Sequence, residues 1–330
     1  MVRRTPRVDT QLTPAGGAGR PDPAAKAPAG VAVLWFRHDL RLHDNEALRR
    51  AAGGTSSLLP AYVFDRREFP SGPRAAAVRA AVQALRDALQ GAGSSLVVRA
   101  GSAEEELAKL VRSSGASKVY CGFDPAMGDA VEARVRRAVE AEGARLEVVW
   151  GGTLLHEDDV PFGPGDVPRN FAAFRSVMET CSVRSPVEAP SSLPGLPGRG
   201  SIPLGEIPSL AQLGGGAAPT EEAGGGGERR ALRYLEGLSR DPGGGEGGMT
   251  LAEYLGQGCL SPRMVYAKLC AGADRGGWAW FELAWRDFYR WVAWRLASED
   301  EGQGKAAKAA GAGGHALSPR HASTISFAPA

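Results

Sequence analysis

A parallel sheet covered on both faces, followed by a helical region, is the fold class this sequence predicts. Three observations lead there. Five short apolar runs alternate with helical patterns between Val31 and Trp150, as in an α/β sheet built from strand–helix–strand units. The first run, VAVLWF, is apolar throughout, as a strand buried on both faces should be. Beyond Glu228 the patterns are helical, and five of the seven tryptophans fall within Trp278–Trp294.

The elements follow in order. Val31–Phe36 is the first strand. Asp44 or Asn45 caps a helix that begins near Glu46. Leu58–Phe64 is the second strand, and Pro73–Leu89 is Ala-rich with Val78, Val82, Leu85 and Leu89 at helical spacing. Leu96–Arg99, Lys118–Phe123 and Leu146–Trp150 complete the sheet, with helices over Ala103–Val111 and Val131–Glu142 between them. PFGPGDVP is a turn-rich connector, and Asn170–Glu179 is a short helix. Residues 185–227 are rich in Pro, Gly and Ser and read as a linker. Glu228–Leu238 opens the helical region, a glycine-dominated stretch interrupts it at 242–248, and TLAEYLGQGCLSPRMVYAKL resumes it. Trp278–Leu296 is a strongly aromatic helix. After Ala297 the composition turns to Ala, Gly, Lys and Ser, and disorder is expected. The predicted divisions are 1–30, 31–160, 161–227, 228–297 and 298–330.

Composition excludes several classes. The 330 residues carry 39 Lys+Arg against 37 Asp+Glu, so a nucleic-acid surface would have to be a local patch. Four cysteines without metal-ligand spacing fit a reduced compartment. No apolar run reaches the ~18 residues of a membrane span. The first 30 residues are basic and lack an apolar h-region, which excludes a secretory signal. A chloroplast or mitochondrial transit peptide and a plain disordered extension both remain open, the latter with a cytoplasmic or nuclear location. No GxGxxG follows the first strand and no GxxxxGK[ST] occurs, so dinucleotide dehydrogenases and common NTPases are disfavoured.

The aromatic helix carries the most chemistry. Glu282, Trp285, Arg286 and Tyr289 fall at i, i+3, i+4 and i+7 and share one face. Such a face suits a planar ring or phosphates. It equally suits an amphipathic core helix with a Glu282–Arg286 ion pair.

Several motifs in order resemble the cryptochrome/photolyase family. VLWFRHDLRLHDNEAL (Val33–Leu48) resembles its opening signature. WGGTLLHEDDVPFGPGDVPRNFAAFRSVME (Trp150–Glu179), GGE (Gly226–Glu228) and ALRYL (Ala231–Leu235) resemble the DASH class. GCLSPR (Gly258–Arg263) and FELAWRDFYR (Phe281–Arg290) resemble the start of the family's flavin and DNA-contacting region, and the likeness covers roughly 31–297. It implies a Rossmann-like five-stranded antenna domain, followed by the start of an all-α FAD-binding domain, in a monomer. It also implies FAD, a 5,10-methenyltetrahydrofolate antenna, and blue-light-driven repair of cyclobutane pyrimidine dimers in single-stranded DNA, or photoreception. Flipping a base out costs less when no partner strand must be unpaired.

Carried over residue by residue, the resemblance places Glu282 against the damaged bases, Trp285 stacked on them, and Arg286 next to flavin and DNA. Trp278 matches a flavin-side aromatic, with Trp280 as the alternative register. Arg240 stands where an arginine contacts DNA, or is a solvated linker arginine. Asp129 stands near the acid that holds the folate, or is a helix N-terminal acid. Arg37, Asp39, Arg41 and Asp44 read as fold and interdomain residues. The chain also departs from the pattern. The loop that should offer Ser/Thr hydroxyls to the flavin diphosphate keeps only Thr250, and Glu236 stands where a tyrosine is expected. The residues after 297 resemble none of the family's later helices. Weak or absent FAD binding by this chain is therefore expected, as is the alternative of a non-enzymatic remnant whose α/β domain binds a folate, nucleic acid or protein.

Overall fold

A computed structural model describes residues 30–70, 72–123, 128–198, 202–213, 226–241, 249–270 and 277–310. The expectations for 1–29, 242–248 and 311–330 lie outside the described residues.

Five strands form one parallel sheet: β1 (Val31–Phe36), β2 (Ser57–Phe64), β3 (Val97–Ala100), β4 (Lys118–Gly122) and β5 (Arg145–Val149). Their order is β3-β2-β1-β4-β5. Each predicted strand is present, with ends shifted by a residue. Period-2 alternation sends Leu34, Phe36, Tyr62 and Phe64 into one core, and Val33, Trp35, Leu59 and Val63 into another. The first core also takes Leu48 of α1 (Glu46–Gly53) and Leu85 of α2 (Pro73–Gly91); the second takes Leu107 of α3 (Ala103–Ser114) and Val135 of α4 (Gly128–Ala141). Both faces are covered, as uniformly apolar strands require.

Asn45 caps α1, its side chain accepting from Leu48 N at 2.9 Å. Asp44, the other candidate, instead takes φ 51, a left-handed conformation that few non-glycine residues adopt. Asn170 caps α5 (Phe171–Thr180).

The helical region comprises α6 (Glu228–Arg240), α7 (Leu251–Gln257), α8 (Pro262–Leu269) and α9 (Trp278–Ala310). Leu235, Tyr254, Leu260, Trp280 and Trp291 join the same core as α1 and α2. The two regions therefore share one apolar interior.

Two expectations need correction. The helix after Trp278 does not stop near 297 but runs to Ala310; Ala, Lys, Glu and Gln there are strong helix formers that outweigh the two glycines. The described parts of the predicted linker are fixed to the sheet domain. Leu193 N donates to Ala92 O (2.8 Å), and Val98 N of edge strand β3 donates to Leu204 O (2.7 Å). Pro, Gly and Ser here serve a close approach: a Cβ on Gly205 would lie 2.2 Å from Val98 O.

Candidate functional site

The loop after β1 joins the sheet domain to the helical region. Arg37 stacks 4.7 Å over Trp35 and donates to Gly122 O at 2.6 Å. Arg41 donates to Asp44 O (3.0 Å) and, across to the helical region, to Gly258 O (3.1 Å). Asp44, 2% exposed, accepts from Arg263 Nε (2.9 Å), from the Ser261 hydroxyl and from Val187 N (2.9 Å). Gly258 has no substitute, because it takes φ +72 and a Cβ would lie 1.9 Å from His38 O. Glu228, in the first turn of α6, accepts from Leu42 N (2.9 Å), His43 N (2.8 Å) and His43 Nδ1 (2.8 Å). The opening signature and the GGE and GCLSPR motifs thus meet in one interdomain clasp. This is the role read for Arg41 and Asp44 in the sequence.

The face of α9 comes next. Trp285 is 39% exposed, with Glu282, Arg286 and Tyr289 half-buried around it. Its ring lies 5.2 Å from Tyr289, edge-on, and 6.0 Å from Phe281 in a stack. Phe171 of α5 supports the group, 4.9 Å from Trp285 and 5.4 Å from Phe281. Trp278 is 48% exposed, while Trp280 is 1% exposed and packs on Tyr266. The structure therefore turns Trp278 outward and places the alternative, Trp280, in the core.

Arg286 does not pair with Glu282 among the described contacts. It donates through Nη1 to Gly152 O (2.8 Å) and to Asp287 Oδ1 (3.0 Å). Asp287 is 0% exposed and also accepts from Leu154 N at 2.6 Å. Burial pushes its carboxyl above the usual carboxylate range, against the pull of Arg286 and the Leu154 amide.

Other expected residues sit apart from this face. Thr250 caps α7 in a capping box with Glu253; its hydroxyl donates to Glu253 Oε2 at 2.9 Å. Arg240 is exposed at the end of α6 and pairs with Glu236 (3.3 Å), which also holds Lys268 (3.0 Å). Asp129 falls in the first turn of α4, and its side chain lies outside the described residues.

Two cavities lie at the carboxyl ends of the strands. The one where strand order reverses, between β1 and β4, is the usual ligand position in open α/β sheets. Here it holds about 30 Å³ and is walled by Arg37, Asp39, Trp150 and Arg290 of α9, room for little more than a water. The larger cavity, about 300 Å³, opens beside it at the ends of β1 and β2, between α2 and the end of α7. Trp35, Phe36, Tyr62 and Phe69 supply aromatic walls; Arg37, Arg74, Asp65 and Glu68 supply charge. Arg67 draws the Asp65 carboxyl down to about 2, while burial and Asp65 push Glu68 up. An aromatic-walled space that also carries charged groups suits a flat heterocycle with polar edges. Sequence reading missed this cavity because its lining comes from five separate elements.

Comparison with known proteins decides the lineage. The DNA photolyase family signature matches residues 32–191. The chain is 34% identical over 324 residues to the blue-light photoreceptor PHR2 of Arabidopsis thaliana, covering 84% of this chain and 72% of that protein. The chain belongs to the cryptochrome/photolyase family. Among its cryptochrome DASH relatives are the chloroplastic/mitochondrial protein of Arabidopsis thaliana (31% identical, 80% of this chain, 52% of that one) and the protein of Gloeobacter violaceus (32%, 79% and 58%). The chain thus spans little more than half the length of these DASH relatives. A solved cryptochrome of Synechocystis superimposes with a TM-score of 0.68 at 28% identity, over 81% of this chain and 62% of that one. Flavin binding, blue-light photoreception and action on DNA are properties of the family.

The residues described do not by themselves enclose the family's FAD. Of the residues the resemblance places at the flavin, Trp278 is 48% exposed and the Thr250 hydroxyl is engaged by its helix cap.

Proposed function

We propose that this chain acts as a DASH-type blue-light protein on pyrimidine dimers in single-stranded DNA. In this reading its α/β domain holds an antenna chromophore and α9 presents the first surface to the nucleic acid. Trp285 carries the reading. It is an indole left 39% exposed on a helix whose other face is packed, with Glu282 and Arg286 beside it. An indole stacks on an unpaired base at about 1–3 kcal/mol, a carboxylate accepts from base N–H groups, and a guanidinium offsets phosphate charge. The 300 Å³ cavity is the candidate for the antenna: Trp35 and Phe69 would pack against a folate-type heterocycle, and Arg74 and Glu68 would supply polar partners.

A second reading rests on the contrast between that formed cavity and the open α9 face: chromophore or nucleic-acid binding without flavin photochemistry. One experiment separates the two. The purified chain is mixed with FAD or with 5,10-methenyltetrahydrofolate, desalted and scanned, then illuminated with dimer-bearing oligothymidylate. We expect retention of the folate, weak retention of FAD, and light-dependent repair limited to the fraction of the chain that keeps its flavin. A stoichiometric flavin band with light-dependent repair would refute the second reading. Failure to bind dimer-bearing single strands at all would refute the first.

Two plant DASH relatives are named chloroplastic/mitochondrial. Together with the basic residues of 1–30, they support an organellar location. No described helix is long and apolar enough to cross a membrane.

A further inference from the structure

Asp287 is a costly residue for its place. A carboxylate buried to 0% exposure loses several kcal/mol of hydration that an apolar side chain would not lose. What the carboxylate gains is specific. It accepts from Leu154 N in the loop after β5 (2.6 Å) and from Arg286 Nη1 (3.0 Å), and the same Nη1 donates to Gly152 O in that loop (2.8 Å). Arg290, one turn further along α9, also lies close to this loop: Gly152 takes φ +73, and a Cβ there would lie 3.4 Å from Arg290 Nη2. The sheet domain and the helix therefore fix one guanidinium nitrogen between them.

We propose that Asp287 is a positioning residue. It locks Arg286 beside Trp285, so that indole and guanidinium present a preset pair to a nucleotide, ring for the base and cation for the phosphate. The proposal rests on the reading of α9 as the nucleic-acid surface. An arginine fixed before binding loses less side-chain freedom on meeting its anion than one that must be captured.

The lock is tested without any ligand. Arginine guanidinium groups are labelled with ¹⁵N, and the Arg286 signals are assigned by their loss in Arg286→Lys. The lock requires separate, slowly exchanging Nη protons on Arg286 in the wild-type chain, collapsing to an averaged signal in Asp287→Asn. A freely rotating Arg286 in the wild type overturns the proposal whatever the protein binds. The second arm measures oligothymidylate binding by anisotropy. Arg286→Ala and Asp287→Asn should each weaken it about tenfold, and the double variant no further, since coupled residues are non-additive. Additive losses would mean that Asp287 acts independently of Arg286. If the wild-type chain does not bind oligothymidylate, the nucleic-acid reading fails and the spectrum still decides the lock.

Discussion

The two faces of α9 carry similar residues under opposite conditions. Trp280 and Trp291 are each 1% exposed; Trp278 and Trp285 are 48% and 39% exposed. The inner pair belongs to the core shared with the sheet. Trp291 lies 4.9 Å from Trp150 and 5.3 Å from Trp294 and Phe162. Of the outer pair, Trp285 rests on Phe171 and Phe281, and both rings stay open among the described residues. Aromatic content alone does not distinguish a packing stripe from a binding face. Which neighbours close over each ring does.

The contrast is easiest to break at its inner side. Trp291→Ala removes a fully packed indole and is expected to lower unfolding free energy by about 3–5 kcal/mol. Trp285→Ala, on the open side, should cost within about 1 kcal/mol. Urea titration of both variants measures the difference. Similar losses would mean that Trp285 is a packing residue after all. The next effect concerns the clasp that holds α7 and α8 to the sheet domain. Gly258→Ala forces a side chain into a left-handed conformation and against His38 O, at roughly 2–4 kcal/mol. The same titration should show it, with the helical region released first. A loss below the ~1–2 kcal/mol of the backbone conformation alone would show that the loop simply moves aside.

The sheet was legible in the sequence because each strand declares itself locally, in a mostly apolar run of four to eight residues. So was the α9 face, because helical spacing fixes which residues share a side. Asp287 was not, since its partner Leu154 lies 133 positions away and nothing in FELAWRDFYR distinguishes it from a surface acid. The cavity beside Trp35 was also invisible, being the gap left when α2 and α7 close over two strand ends. The hydroxyl of Thr250 illustrates the reverse case. Read as a phosphate contact from its place in the motif, it is engaged by Glu253 at a helix start. The pattern T-x-x-E is itself a capping signature and competed for the same residue.

The smallest effect expected concerns the joint between the opening loop and α6. His43 Nδ1 meets Glu228 at 2.8 Å. The hydrogen bond to Glu228 raises the His43 pKa above 6.5; burial opposes it, and the charges of Glu228 and Glu188 add to the rise. A raised folded-state value means that folding favours the protonated ring. The contribution is present in full below about 6.5 and is lost as pH climbs through the folded-state value. Because the side chain is 43% exposed, solvent screening keeps the effect under ~1 kcal/mol. The melting temperatures of wild type and His43→Ala should therefore differ most near about pH 5.5 and converge toward about pH 8.5. Glu228 also holds two backbone amides that no protonation change touches, so the joint loosens without opening. Both proteins keep those amides, so a gap that stays constant over this range would assign the imidazole's contribution to packing rather than to its charge.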